Sequence, residues 1–325
     1  MNILIFGGTG FVGINIASAL QARGHAVTLF DRGALPRAAA QTFAGFVRAP
    51  DVIESDVTDA LAVETVVARG FDAIILGATI TAGPAREAAD PQSILQVNLM
   101  AQVPILMAAH RHGVRRVINL SSGSALGAAA FRHALLDEEL PCEPVSLYAI
   151  TKHASERVAA RLASLWQADF ISVRLSGVFG PWERATGVRD TLSPQMQIVD
   201  ALHRKKEATL ARPCVRDWIY APDVADAVAV LVEAAKPKHG LYNISTGREW
   251  TALQWGQHLA DLNPGFVCRL AGPGENPNVD LHTDADRAPL SVARMAEEFG
   301  WRARFDCADS ALDLNAWWMR HGEEL

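Results

Sequence analysis

Short apolar runs recur along the first half of the chain, each followed by a stretch with helical spacing. Asn2-Ile3-Leu4-Ile5-Phe6 opens the series; Ala26 to Phe30, Val52 to Ser55, Ala73 to Leu76, Arg116 to Leu120 and Phe170 to Leu175 continue it. Runs this brief and this continuously apolar suit strands buried on both faces. Helices are predicted from the first run to about Arg23, over Ala60 to Arg69, over Pro91 to His112, and from Tyr148 to about Trp166. Strand–helix alternation of this kind predicts an α/β fold of Rossmann type, a doubly wound parallel sheet with helices on both faces. The rhythm changes at Ser176. A loop at Gly180-Pro181-Trp182-Glu183-Arg184 precedes a helix near Pro194 to Arg204, a short strand at Arg216 to Tyr220, a helix from Pro222 to about Ala235 and a strand at Leu241 to Ile244. Helices are predicted again over Thr251 to Leu262, from about Ser291 to a Gly300-Trp301 stop, and around Trp317-Trp318. Most tryptophans lie beyond residue 180, which fits core packing of a smaller region better than cofactor stacking.

The strand ends carry the candidate chemistry. Gly7-x-x-Gly10-x-x-Gly13, with Phe11 and Val12 in the same turn, follows a strand and opens a helix. Glycine permits the tight turn and a close approach to a pyrophosphate, which a helix N-terminus attracts. Asp31 ends the second strand, where a carboxylate accepts hydrogen bonds from ribose hydroxyls and repels a 2′-phosphate; NAD is therefore favoured over NADP, although Arg32 blunts the preference. Asp56-Val57 ends the third strand, over the adenine edge. Leu76-Gly77-Ala78-Thr79 brings small residues to the fourth, and Asn98 falls inside the long helix, buried or relaying a hydrogen bond to the site.

The fifth strand runs into Ser121-Ser122-Gly123-Ser124, at the carboxyl end where such sheets place ligands. Tyr148-x-x-x-Lys152 supplies a phenol and an ammonium on one helical face. An adjacent ammonium is expected to lower the phenol from about 10 towards neutrality and make it a general acid/base. With three tyrosines in the chain, the match alone is modest.

Composition narrows the classes. Half of the 325 residues are hydrophobic and a fifth are charged, ordinary for a globular protein. A net charge of −6 and a pI near 5.9 argue against nucleic acid or an anionic membrane as partner. The four cysteines, at 142, 214, 268 and 307, form no C-x-x-C, so neither a disulfide framework nor a metal site is expected. The chain begins directly with a strand and has no apolar run of spanning length, so the cytoplasm is the expected compartment.

These motifs, together with Arg174-x-x-x-Val178-Phe179-Gly180-Pro181, Arg216-Asp217-Trp218-Ile219-Tyr220 and Leu241 to Gly247, resemble the extended short-chain dehydrogenase/reductase family, the NAD-dependent epimerase/dehydratase group. The resemblance spans nearly the whole chain. It implies Tyr148 as acid/base, Lys152 on the nicotinamide ribose, and Ser122 as the catalytic hydroxyl, with Ser124 its neighbour. It implies an NAD-binding domain of residues 1–175 plus about 216–245, interwoven with a C-terminal α/β substrate domain of about 176–215 and 246–325. It also implies a homodimer through the Pro91 and Tyr148 helices. Thr79, Gly123, Ser176, Arg184 and Arg216 become candidate substrate contacts, with Arg189 in the same loop as Arg184.

Departures from the family matter as much. Gly123 and Ser124 stand where dehydratases carry Asp-Glu, so dehydration is not expected. Gly177 stands where nucleotide-sugar members usually have asparagine, and Gly274-Glu275-Asn276-Pro277 lacks their diphosphate-binding arginine. The leading expectation is an NAD-dependent dehydrogenase for a sugar, sugar acid or related polyol. A nucleotide-sugar epimerase of the UDP-sugar 4-epimerase type, with transient NAD reduction, is the alternative. A non-catalytic dinucleotide sensor is the third, and the intact Tyr148 and Lys152 count against it.

Overall fold

A computed structural model describes residues 1–322. β1 (Asn2–Phe6), β2 (Ala26–Asp31), β3 (Asp51–Glu54), β4 (Ala73–Leu76), β5 (Arg116–Ser122), β6 (Asp169–Leu175) and the strand Leu241–Ile244 form one parallel sheet. Its spatial order is β3-β2-β1-β4-β5-β6 and then Leu241–Ile244. The order reverses between β1 and β4, which opens a crevice at their carboxyl ends. Side chains of β1 alternate between the two faces, Ile3 and Ile5 joining one apolar cluster and Leu4 and Phe6 the other. The first cluster continues without a break from Ile14 on the opening helix to Trp218, Trp255 and Trp317. One core therefore serves both the sheet and the C-terminal region.

Local chemistry sets the helices that shape the crevice. The Phe11–Ala22 helix begins at Gly10 with no side-chain cap, so its first N–H groups are left for another partner. Ser146 caps the Leu147–Trp166 helix by accepting from Ala149 N at 3.1 Å, which fixes where Tyr148 begins its turn. The expected single helix from Pro91 to His112 is instead two α-helical pieces, Pro91–Leu95 and Gln102–Arg111, joined by a π-helical turn at Gln96–Met100. Pro104 has no N–H to give to Met100, so the ordinary ladder cannot run through this point. This helix has the length and apolarity to span a bilayer, yet Ile105, Leu106, Ala108 and Ala109 bury one face of it against the sheet.

Other elements differ from the sequence reading. Arg216 to Tyr220 is not one strand: Val215–Arg216 pairs antiparallel with Trp250–Thr251, and Ile219–Tyr220 pairs parallel with Val178–Phe179. The sequence reading did not include the short helices Arg37–Ala44 and Pro84–Ala89 or the short parallel ladder of Ala208–Leu210 with Cys268–Leu270. The buried Arg116 bonds Asp169 at 2.8 Å and the carbonyls of Leu231 and Ala234 at 2.6 Å, tying the Ala221–Glu233 helix to the foot of the sheet.

Candidate active site

A cavity of about 670 Å³ runs from the glycine loop to the C-terminal region, within the range of small-molecule sites. At the glycine-loop end main-chain segments pack closely. Gly7 has φ +78°, and a Cβ there would lie 2.6 Å from Ala78 N; a Cβ at Gly13 would lie 2.3 Å from Gly7 O. The loop and the β4 end can pack this closely only as glycines. Thr9 N donates to Asp31 Oδ2 at 3.1 Å, so Asp31 both steadies the loop and faces the crevice. Gly10, Phe11, Val12, Arg32, Asp56, Val57, Gly77 and Ala78 line the same end. The Asp56 carboxylate is turned towards Thr58, whose N–H holds its pKa below the usual range.

Two residues expected near the cofactor, Asn98 and Leu76, do not line the cavity. Asn98 is fully buried and stands behind the wall: its Oδ1 accepts from Ile80 N at 2.7 Å and its Nδ2 donates to Ile80 O at 2.9 Å. The π turn aims it at the Ile80 backbone, so it holds the β4 loop in place. Leu76 packs into the apolar core, leaving Gly77 and Ala78 on the wall.

Tyr148 and Ser122 meet midway along the cavity. The Ser122 and Thr81 hydroxyls lie by the Tyr148 phenol and act to lower its pKa. Ser122 Oγ also accepts from Ser124 N at 3.1 Å. Ser121 is committed elsewhere, donating to Glu156 at 2.5 Å, and Glu156 is held by Arg174 at 2.7 and 2.9 Å. Lys152 is 2% exposed, donates to Leu120 O at 2.7 Å, and places Nζ 5.7 Å from the Tyr148 ring centre. That is its one hydrogen bond among the described residues, which leaves two ammonium protons for a ligand's hydroxyls.

The expected lowering of the phenol pKa is corrected too. Burial raises Tyr148 above its ordinary value, and Ser122, Thr81 and the charge of Arg189 oppose it without cancelling it. Burial also brings Lys152 down to about 8, against the pull of Glu156. In this low-dielectric setting the ammonium is itself weakened, and it does not make the phenol acidic alone.

Side chains build the other end. A Cβ at Gly177 would fall 2.5 Å from the Trp218 ring, so the indole occupies the space of an asparagine side chain there. Arg216 stacks on Trp218 at 4.9 Å, and burial, then the charge of Arg287, lowers its pKa to about 10. Thr79, Gly123, Ser124 and Ser176 line this part of the cavity, and the Thr79 hydroxyl is buried without a partner. Arg184 is placed at the dinucleotide end instead: its guanidinium donates to Thr9 O at 2.9 Å and feels the charge of Asp31. Glu275 is held by Arg269 at 2.7 Å on the exposed loop and does not reach the cavity.

Sequence reasoning missed Thr81 and Arg287 on the cavity wall. Thr81 pairs in a bridge with Arg189 and Arg287 lies in an irregular segment, so neither carried a periodic signal.

Comparison with known proteins agrees with this arrangement. The profile of the NAD-dependent epimerase/dehydratase family matches residues 3–245. The chain is 26% identical to a UDP-glucose 4-epimerase of Mycolicibacterium smegmatis, covering 95% of this chain and 96% of that one. It is 29% identical to a dTDP-glucose 4,6-dehydratase of the same species, covering 99% and 94%. The Bordetella bronchiseptica enzyme WbmG, solved in complex with NAD, shares the fold at 23% identity with a TM-score of 0.77, covering 99% and 95%.

Proposed function

The chain belongs to the NAD-dependent epimerase/dehydratase family, and from that premise we propose that it oxidises a carbinol carbon of a sugar, sugar acid or related polyol, with Tyr148 as the acid/base. One observation carries the reading: the Tyr148 phenol shares with Ser122 and Thr81 the crevice that the glycine loop opens, one turn from a buried ammonium.

In this reading Gly7, Gly10, Phe11, Val12 and Gly13 cradle the pyrophosphate, aided by the uncapped N–H groups of the Phe11–Ala22 helix. Asp31 and Arg32 hold the adenosine ribose, Asp56 and Val57 the adenine edge, and Lys152 the nicotinamide ribose. Arg184, bonded to the glycine loop, joins this set and not the substrate set. NAD, when bound, supplies the hydride acceptor and a positive ring charge. Tyr148 Oη takes the proton of the carbinol hydroxyl, and Ser122 Oγ donates to the oxygen as charge develops on it. The Tyr148 phenol is held above its ordinary pKa, so the protein alone does not ready it as a base. Gly123 and Ser124 offer no acid or base for removing water, which sets dehydration aside.

A second reading is net epimerisation of a nucleotide sugar, supported by the near full-length similarity to the UDP-glucose 4-epimerase. The Trp218 ring over Gly177 and the outward Glu275 loop favour the first. A homodimer is part of the proposal, supported by exposed Met100, Met107, Ile150 and Leu165 on two neighbouring helices. So is a cytoplasmic setting, which suits four unpaired cysteines.

The test mixes the protein with NAD and a panel of sugar acids, polyols and nucleotide sugars, followed by NADH absorbance and product chromatography. Net NADH identifies a dehydrogenase, and product without NADH an epimerase. Tyr148→Phe is expected to cut turnover about 10³-fold with NAD affinity within about twofold. Retained turnover in that variant removes Tyr148 from the chemistry.

A further inference from the structure

We propose that Arg287 is the receptor for a carboxylate carried by the substrate close to its reacting carbon, so that this enzyme selects acidic sugars over neutral ones. The inference rests on the carbinol-oxidation reading above and adds the chemical class of substrate to it.

The position comes from Gly123. This residue directly follows Ser122, and a Cβ on it would lie 2.3 Å from Arg287 Nη1 and 3.2 Å from Cζ. The guanidinium therefore fills the space a side chain at 123 would take. Its positive charge therefore lies against the residue that follows Ser122 in the chain.

The need for an anion comes from the partners. Arg287 is 9% exposed and lies on the cavity wall. Its hydrogen bonds among the described residues all run from Nη2, to Ser176 Oγ at 2.7 Å and weakly to Asp217 Oδ1 at 3.4 Å. Nε is buried without a partner. Asp217 is already occupied: it accepts from Ser176 Oγ at 2.6 Å, Ser245 Oγ at 2.5 Å and Leu290 N at 2.8 Å. The Arg216 guanidinium makes no hydrogen bond among the described residues, and the charge of Arg287 helps to lower its pKa. Two guanidinium groups thus share one engaged carboxylate. Desolvated cations left in this state are costly, and a ligand anion between them removes the cost. A neutral carbinol does not.

The anion we assign is a carboxylate. Nη2 is engaged by Ser176, and Nη1, which occupies the side-chain space of Gly123, is left as the donor for a small anion.

The experiment uses the full chain with NAD and two matched pairs, glucuronate against glucose and UDP-glucuronate against UDP-glucose. Both kcat/KM and calorimetric affinity are measured. The wild type is expected to prefer the acid of at least one pair by about ten- to a hundredfold. Arg287→Gln brings that ratio close to one. Gly123→Ala, whose methyl displaces the guanidinium, does the same, and the double variant adds nothing further. NAD binding by each variant, read from fluorescence, separates this from unfolding. A wild-type ratio near one in both pairs overturns the proposal without requiring any variant. So does a ratio that Arg287→Gln leaves in place, or tighter binding of glucose 6-phosphate than of glucuronate. If no carbinol turns over at all, the oxidation reading fails, and the affinity ratio still decides the role of Arg287.

Discussion

The glycine-loop end of the crevice is fixed by close main-chain packing, whereas the Arg287 end is fixed by side chains drawn from distant segments. At the first end Gly7, Gly13 and Ala78 touch through main-chain atoms, and Asp31 is fastened to Thr9. At the second, Gly123, Ser176, Arg216 and Arg287 meet around Asp217, which lies at the centre of a buried hydrogen-bond network. Close main-chain packing tolerates little change at Gly7 and Gly13. Side chains exchange singly, so the second end can be retuned while the sheet stays intact.

Substitutions at the two ends test this contrast. The largest effect is expected from Gly13→Ala, where the new methyl meets Gly7 O at 2.3 Å and Gly8 Cα at 2.9 Å, both main chain. A stability loss of about 3 kcal/mol in chemical denaturation is expected, with NAD binding lost; a variant that binds NAD normally would show that the loop yields more than its packing implies. Gly177→Asn should lose about 2 kcal/mol, because a side chain collides with an indole that has some room to shift. It should not gain affinity for UDP sugars, and a gain would mean that Trp218 swings aside.

Asp31→Ala should narrow the preference for NAD over NADP by about tenfold in fluorescence titration. A wild type that already prefers NADP would reverse the reading of Asp31 and Arg32. The smallest effect concerns Lys152, whose folded-state pKa of about 8 lies below the ordinary lysine value. Between the two values the unfolded chain holds a proton that the folded chain does not, so stability contributed by this site rises with pH in that window and is flat below it. Melting curves of the wild type against Lys152→Met should therefore converge or cross as pH rises above about 8, and parallel curves would show an unshifted lysine.

Legibility followed range. β1, β2, β4, β5 and β6 were readable because each is a buried run whose neighbours in sequence are also its helical covers. The Gly7 to Gly13 turn and the Tyr148–Lys152 pair were readable because their partners lie within a few residues. Asn98 was readable as a buried residue but its partner was not, since the π turn aims it at Ile80, eighteen residues away. The Tyr148 pKa was misjudged for a similar reason: proximity to Lys152 is local, but the burial that outweighs it is set by the whole fold.

From its sequence alone the protein is a parallel α/β fold with a dinucleotide turn and a phenol–ammonium pair, because periodicity and short spacing are properties of neighbouring residues. Only the tertiary structure decided that Gly123 makes room for Arg287, that Gly177 makes room for Trp218, and that Arg184 serves the glycine loop. Those contacts join segments more than forty residues apart, where volume and charge must match across space and no local pattern records the match.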